Sequence, residues 1–378
     1  MVVGHVGDSV MKIVFRCDAS IQIGTGHVMR CLTLADALTT KGAECYFVCR
    51  KHGGHLLEVI KQHGYKAYDL PFENYEEDSC ENGTKLSHAS WLGASQQEDA
   101  QQCIDIIKHI TPDWLIVDHY AIDISWERAL RLYCKKLMVI DDLADRQHDC
   151  DILLDQNYGR DIQDYLELVP KHCRLLCGSK YVLLRPEFAQ WRGFSLKRRK
   201  QGQLEHLLIN LGGVDKDNIT TQILKGLQKS SLSESCKITV VMGSTAPWID
   251  VVKDEAFKLK WAVEVKTGVS NMAELMAKSD LAIGAAGSTS WERCCLGLPT
   301  IMLVLAENQQ QIALNLQNAN AVYAINLESS LESMILKAVR YFTDVQGVLE
   351  EISINASRIL DGCGSTLVIE NMVNRYDD

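Results

Sequence analysis

The sequence predicts an α/β protein made of two Rossmann-like domains facing each other across a cleft. Three observations predict it. Short apolar runs of strand length alternate with helical patterns along nearly the whole chain, which is the signature of open parallel sheets. The alternation falls into two series that join near residue 200. The length of 378 residues suits two domains.

The first series opens with Lys12–Cys17, a short buried strand. A glycine-containing loop, Asp18 to Gly26, leads into a helical pattern that begins near His27 and ends at Gly42. Glu44–Cys49 reads as a strand, Leu56–His63 as a helix stopped by Gly64, and Lys66–Leu70 as a strand ahead of Pro71. Residues 72–90 are polar and acidic and read as a long loop. The alternation resumes with a helix over 96–109, the strand Asp113–Asp118, a helix over Ser125–Tyr133, and strands at Lys136–Asp141 and Asp151–Asp155. Residues 190–203 read as a transition between domains, and the basic run Lys197–Lys200 within them as a solvated linker or a helix end.

The second series has strands at Glu205–Leu211, Lys237–Met242, Asp280–Gly284 and Thr300–Leu305. Trp261–Val265 precedes a helix at 270–278, and further helices begin at Ser290 and cover 308–320, 331–343 and the C-terminus. The expected domains are therefore 11–200 and 201–378, with residues 1–10 left outside the fold. In open α/β sheets ligands bind beyond the carboxyl ends of the strands, so those ends hold the candidate site.

Composition narrows the function. Hydrophobic residues make up 47% and charged residues 23% of the chain, ordinary values for a globular protein. A net charge of −10 argues against nucleic-acid binding, which uses clustered Lys and Arg. The 14 cysteines are scattered and lack zinc-site spacing, which fits reduced thiols in the cytoplasm and no metal. No window is long and apolar enough for a membrane span, and the N-terminus has no signal-peptide pattern.

The first βα turn, Gly24-Thr-Gly-His27, resembles half of a dinucleotide fingerprint. Met29 stands where close helix packing needs Gly or Ala, and Cys49-Arg50 replaces the ribose-binding acid, so a nicotinamide cofactor is not expected. His27 sits in the first turn of a helix, whose partial positive charge favours the neutral imidazole. It is either a general base for water or a histidine satisfied within the turn. Asp18 and Ser20 either bind a sugar or cap the loop. Arg16 and Arg30 either attract phosphate or form ion pairs.

The late turn Gly287–Glu292 (GSTSWE) offers small hydroxyls and free N–H groups to a diphosphate, with Glu292 able to accept both ribose hydroxyls. The alternative is Ser288 or Thr289 as a plain N-cap with Glu292 completing a capping box. Val269–Met272 opens the preceding helix and either flanks a flat base or is an ordinary loop, and Ala306–Gln309 either faces the same cleft or is an ordinary loop.

These segments occur in a recognisable order. RCDAS at 16–20, IGTGHVMRC at 23–31, VDHY at 117–120, DDLAD at 141–145, DQN at 155–157, LRPEF at 184–188, GSTSWE at 287–292 and AENQ at 306–309 resemble the UDP-2,4-diacetamido-2,4,6-trideoxy-β-L-altropyranose hydrolases of pseudaminic acid biosynthesis. The resemblance runs over residues 11–325 and implies a GT-B-like fold, a UDP-sugar substrate and no metal or other cofactor. By resemblance His27 is the general base. Asp18, Gly24, Gly26, Tyr120, Arg185 and Asn308 line the sugar, and Gly287, Ser288, Thr289, Glu292 and Gln309 hold UDP. The alternative on the same fold is a UDP-sugar glycosyltransferase. The 72–90 and 92–108 stretches are longer than the family pattern, so the cover over the sugar is expected to differ.

Overall fold

The computed structural model describes residues 10–72, 86–200, 202–327 and 330–373. Residues 1–9 and most of the 72–90 stretch lie outside the described residues.

The chain separates into two compact units, Met1–Leu183 with Ser365–Asp378, and Leu184–Gly364. In the first unit the elements are β1 Lys12–Cys17, α1 Gly26–Thr39, β2 Glu44–Arg50, α2 Leu57–Gln62, β3 Lys66–Leu70, α3 Gln96–Ile107, β4 Trp114–Asp118, α4 Ile124–Leu130, β5 Lys136–Ile140, β6 Ile152–Asp155 and β7 Arg174–Cys177. The second unit holds α5 Pro186–Arg199, β8 His206–Asn210, α6 Ile219–Leu227, β9 Lys237–Met242, α7 Ile249–Phe257, β10 Val263–Thr267, α8 Met272–Lys278 and β11 Leu281–Ala285. It continues with α9 Thr289–Cys295, β12 Thr300–Val304, α10 Gln310–Asn318, β13 Tyr323–Asn326, α11 Leu331–Asp344 and α12 Val348–Ser357. The last helix, α13 Gly364–Val373, returns to the first unit.

Both sheets are parallel. The first runs β3-β2-β1-β4-β5-β6-β7 and the second β10-β9-β8-β11-β12-β13. Their strands are apolar on both faces because helices cover both sides; β4 and β12, for example, are buried at every residue. The order in which strands are added reverses once in each sheet, between β1 and β4 and between β8 and β11. Such switch points leave a crevice at the strand carboxyl ends. The first βα turn and the Gly287 turn follow β1 and β11, one at each switch point.

Two expectations about the domain join need revision. Residues 190–203 were expected as a transition, with the basic run a solvated linker or a helix end; Pro186–Arg199 is one helix, and Lys197–Arg199 form its last turn. Proline at its first position presets the helical φ where no donor is needed. The helix is fixed to the second unit through polar groups rather than an apolar stripe, which is why it is hard to read in sequence. Arg192 donates to the carbonyls of Cys295, Leu360 and Ser357, and Ser195 Oγ donates to Leu296 O at 2.7 Å. Arg199 donates to the carbonyls of Leu296, Ser279 and Met276, and Arg198 pairs with Asp280. The units therefore part at Leu183 rather than at residue 200. The C-terminal helix was expected within 201–378, yet Val368, Ile369 and Met372 are buried in the core formed by β1, α1 and β2. Its apolar face has no place in the second core, which α11 and α12 complete with Ile335, Val339, Phe342 and Ile352.

Candidate active site

At the first switch point, β1 pairs in register with β4 so that Cys17 lies opposite Asp118. This brings Asp118 beside the start of α1. His27 is the second residue of that helix, which has no acidic residue in its first turn and no side-chain cap. His27 Nδ1 and Asp118 Oδ1 are 2.6 Å apart. Asp118 is wholly buried and also accepts two bonds from Arg30, Nε to Oδ2 at 2.6 Å and Nη2 to Oδ1 at 2.7 Å. Burial alone would raise its pKa; Arg30 and then His27 outweigh that and hold it well below the usual carboxylate range. An ionised carboxylate only accepts, so the shared proton belongs to Nδ1 of His27. That tautomer leaves a lone pair on Nε2, which has no hydrogen-bond partner among the described residues. His27 is 7% exposed, so it is shielded but not sealed.

A second carboxylate completes the frame. Asp142 accepts from Arg30 Nη1 at 2.6 Å, from Tyr120 Oη at 2.7 Å and from Asn157 Nδ2 at 3.2 Å. The Tyr120 ring meets the His27 ring edge-on at 4.6 Å between centroids. His27 is thus fixed by a carboxylate at one edge and an aromatic ring on its side. Such buried, fully paired ion clusters add little net stability but fix one geometry.

Below this lies a second buried cluster. Asp99 accepts from Arg16 at 3.1 and 2.6 Å, from Arg50 at 2.6 Å and from Trp126 Nε1 at 2.9 Å. Asp18 accepts from Arg16 Nη1 at 2.7 Å and from the Arg50 backbone N–H at 2.6 Å. Its other oxygen faces His119 Nε2 at 3.2 Å and His52 Nε2 at 3.5 Å. Both alternatives left open for this loop resolve to the structural one. Asp18, expected at the sugar, is completely buried and ties the ends of β1, β2 and β4 together. Ser20 Oγ accepts from the N–H groups of Gln22 and Ile23 at 3.1 and 2.8 Å and caps the loop. Arg16 and Arg30 are ion-pair partners of carboxylates. Gly24 adopts φ +82°, a conformation that suits glycine, and its N–H closes the loop onto Ser20 O at 2.9 Å. Gly26 begins α1 directly before His27.

In the second unit, β11 leads into the Gly287 turn. The capping-box reading fails here: Ser288 is the N-cap of α9 but makes no side-chain cap bond. Instead Ser290 Oγ accepts from the Gly287 N–H at 3.1 Å and folds the turn on itself. Underneath, Arg293 is 2% exposed and donates to Ala285 O at 2.7 Å, Ser290 Oγ at 3.2 Å and Thr289 Oγ1 at 3.3 Å. Its Nε has no partner, and no carboxylate lies within ion-pair distance of it among the described residues. Burial lowers its pKa to about 10. A cation here needs Gly284: a Cβ at that position would lie 2.2 Å from Arg293 Nη1 and 2.9 Å from Asn210 O. Glu292 is half-buried, and burial raises its pKa to about 7 against the pull of Arg185 and Arg293. Arg185 Nη2 lies 3.8 Å from Glu292 Oε1, while its Nη1 pairs with Glu187 at 3.0 Å. Gln309 turns inward, accepting from the Leu305 N–H through Oε1 at 2.9 Å. Asn308 lies in the helical turn Glu307–Gln309 after β12, and its side chain is outside the described residues.

The structure thus groups His27 with Tyr120, and Gly287, Ser288 and Thr289 with Glu292 and Arg185, each within one unit. Sequence reasoning gave no role to Asp118, Asp142, His119 or Arg293. Asp118 and Asp142 had one usable signal, as carboxylates ending predicted strands; Arg293 had none. No helix among the described residues is long and apolar enough to cross a membrane.

Comparison with known proteins places the chain among similar sequences and folds. Residues 207–357 match the model of the glycosyltransferase family 28 C-terminal domain. The UDP-2,4-diacetamido-2,4,6-trideoxy-β-L-altropyranose hydrolase of Campylobacter jejuni is 29% identical over 304 residues, 80% of this chain and 95% of that protein. The protein MJ1062 of Methanocaldococcus jannaschii is 27% identical over 305 residues, again 80% of this chain, which spans only 57% of that longer relative. Among solved structures, MurG of Acinetobacter baumannii superimposes with a TM-score of 0.67 over 96% of this chain and 99% of that one, at 13% identity, which establishes the GT-B-like fold. The chain has a GT-B-like fold whose second unit matches the glycosyltransferase family 28 C-terminal domain, and over four fifths of its length it is similar to the Campylobacter jejuni hydrolase.

Proposed function

We propose that this chain hydrolyses a UDP-linked 2,4-diacetamido-2,4,6-trideoxy sugar, by attack of water at the anomeric carbon with inversion, in the cytoplasm as a step of pseudaminic acid biosynthesis. The observation that carries this reading is the Asp118–His27 pair, which engages Nδ1 and leaves Nε2 open at the carboxyl end of the first sheet. Nε2 takes a proton from water as the oxygen bonds to the anomeric carbon and the bond to the UDP oxygen breaks. The imidazolium that forms is stabilised by Asp118, whose carboxylate stays ionised. UDP leaves as a stable anion and needs little protonation, so one base suffices where glycosidases need two carboxylates.

The first unit is assigned the sugar, with Tyr120 beside the base. The second is assigned UDP, with its diphosphate at Gly287–Thr289 and its ribose at Glu292. The charge that develops on the leaving diphosphate meets turn N–H groups and hydroxyls that Arg293 polarises from behind. The family 28 match over 207–357 supports this half of the assignment.

The same match supports a second reading, a glycosyltransferase that passes the sugar to an acceptor. Acceptor-free turnover separates the two. The enzyme is incubated with the UDP-sugar in ¹⁸O-water and EDTA, and the anomeric proton is followed by NMR. Rapid UDP release with label in the sugar supports the hydrolase. Turnover only after an acceptor is added replaces it with the transferase, and label in UDP rules out attack at carbon.

A further inference from the structure

The residues just ahead of α3 form an aromatic surface that neither the fold nor the base network explains. The turn Ala89–Leu92 buries Leu92 but leaves Trp91 and the preceding His88 half-buried. The Trp91 ring lies nearly parallel to Tyr120, 5.9 Å away at 26°. His88 sits 4.3 Å from Trp91 and 5.5 Å from Tyr120, and Tyr120 in turn meets His27 at 4.6 Å. Four rings therefore run outward from the base in one unit. The chain just after them turns tightly. Gly93 turns the chain at φ +68°, and a Cβ there would lie 2.8 Å from the Phe72 ring, which itself lies 5.0 Å from His52 of the Asp18 cluster. Trp91 packs one side on the core of the first unit. Burial lowers the His88 pKa, so this ring is neutral and adds no charge to the wall at neutral pH.

Polar sugars are recognised chiefly by directional hydrogen-bond donors and acceptors. A wall of rings beside the attacking base instead favours C–H and methyl groups. We infer that Trp91, with His88, is a specificity-determining surface that recognises the apolar substituents of a deoxy, N-acylated sugar and disfavours hydroxylated hexoses. This rests on the reading of the first unit as the sugar site. Trp91 reaches His27 only through Tyr120, so it is assigned to sugar affinity and not to chemistry.

The test uses the full chain as wild type, Trp91→Ala and Trp91→Phe. KM and kcat are measured for UDP release from the UDP-diacetamido-trideoxy sugar, and Kd is measured by calorimetry for that sugar nucleotide, for UDP-N-acetylglucosamine and for UDP. The expected result for Trp91→Ala is a KM and Kd for the diacetamido substrate raised roughly 5- to 10-fold. Affinity for UDP and for UDP-N-acetylglucosamine changes less than twofold, kcat holds, and Trp91→Phe restores most of the loss. Equal weakening for all three ligands, an unchanged Kd for the diacetamido substrate, or a loss confined to kcat overturns the assignment. Should Trp91→Ala fail to fold, His88→Ala carries the same comparison with a smaller shift in the same direction. If wild type releases no UDP without acceptor, the hydrolase reading falls, while the Kd comparison still decides the wall.

Discussion

The two switch points solve opposite electrostatic problems. At the first, each carboxylate has an arginine partner within the protein: Asp118 and Asp142 share Arg30, and Asp99 and Asp18 share Arg16. At the second, Arg293 is buried without an ion-pair partner among the described residues, and Glu292 is pushed up to about 7. Closed networks resist rearrangement and suit a group that must point one way during proton transfer. A buried cation without a counter-ion is costly alone, and an arriving diphosphate relieves that cost. On the proposed reading the first region holds a base and the second is completed by an anionic ligand. Substitutions in the first should therefore act on kcat, and those in the second on UDP affinity and its pH dependence.

The largest effect is expected at His27. His27→Asn removes the base and should lower kcat by about 10²- to 10⁴-fold while UDP-sugar binding, measured by calorimetry, persists. Near-normal kcat would leave the first region without its assigned purpose. Asp118→Asn comes next. An amide donating to Nδ1 moves the imidazole proton to Nε2, and kcat should fall about 100-fold with little change in KM. It also leaves Arg30 short of a partner, so the melting temperature should drop.

Glu292→Gln tests the second region through pH. The folded protein favours protonated Glu292, so its stabilising contribution is complete below the ordinary carboxylate pKa of 4.5 and is lost as pH rises through about 7. The difference corresponds to roughly 3 kcal/mol, so Glu292→Gln should melt higher than wild type above pH 7 and no higher at pH 4. Ribose hydroxyls need the ionised carboxylate, so wild-type affinity for a UDP-sugar should weaken by up to about tenfold per pH unit below 7. Glu292→Gln should bind more weakly at pH 8 and show a flatter profile; a parallel profile would place the ribose elsewhere. Tyr120→Phe is the mildest. It keeps the ring against His27 and loses one bond to Asp142, which retains Arg30 and Asn157, so kcat should fall only roughly fivefold.

The strands and most helices were legible because parallel strands between two helical layers are continuous apolar runs, a local property of Lys12–Cys17 or Thr300–Leu305. His27 and the Gly287 turn were legible for a related reason: a βα turn is one short segment whose residues announce it. The helix Pro186–Arg199 was not, since it binds its unit through arginines and a serine that look solvated in sequence. Asp18 misled in the other direction. A carboxylate in a glycine-rich loop looks like a ligand group until β2 and β4 close around it.

The sequence by itself determined two Rossmann-like halves, the glycine-rich βα turns, and a histidine at one of them. Only the tertiary structure decided what that histidine can do. Asp118 is 91 residues away, and it reaches His27 because β4 pairs with β1 rather than with a strand adjacent in sequence. Trp91 and Arg293 were likewise given meaning by what folds against them. A proton's position and a cation's isolation depend on neighbours distant along the chain, and no local pattern of residue types encodes those distances.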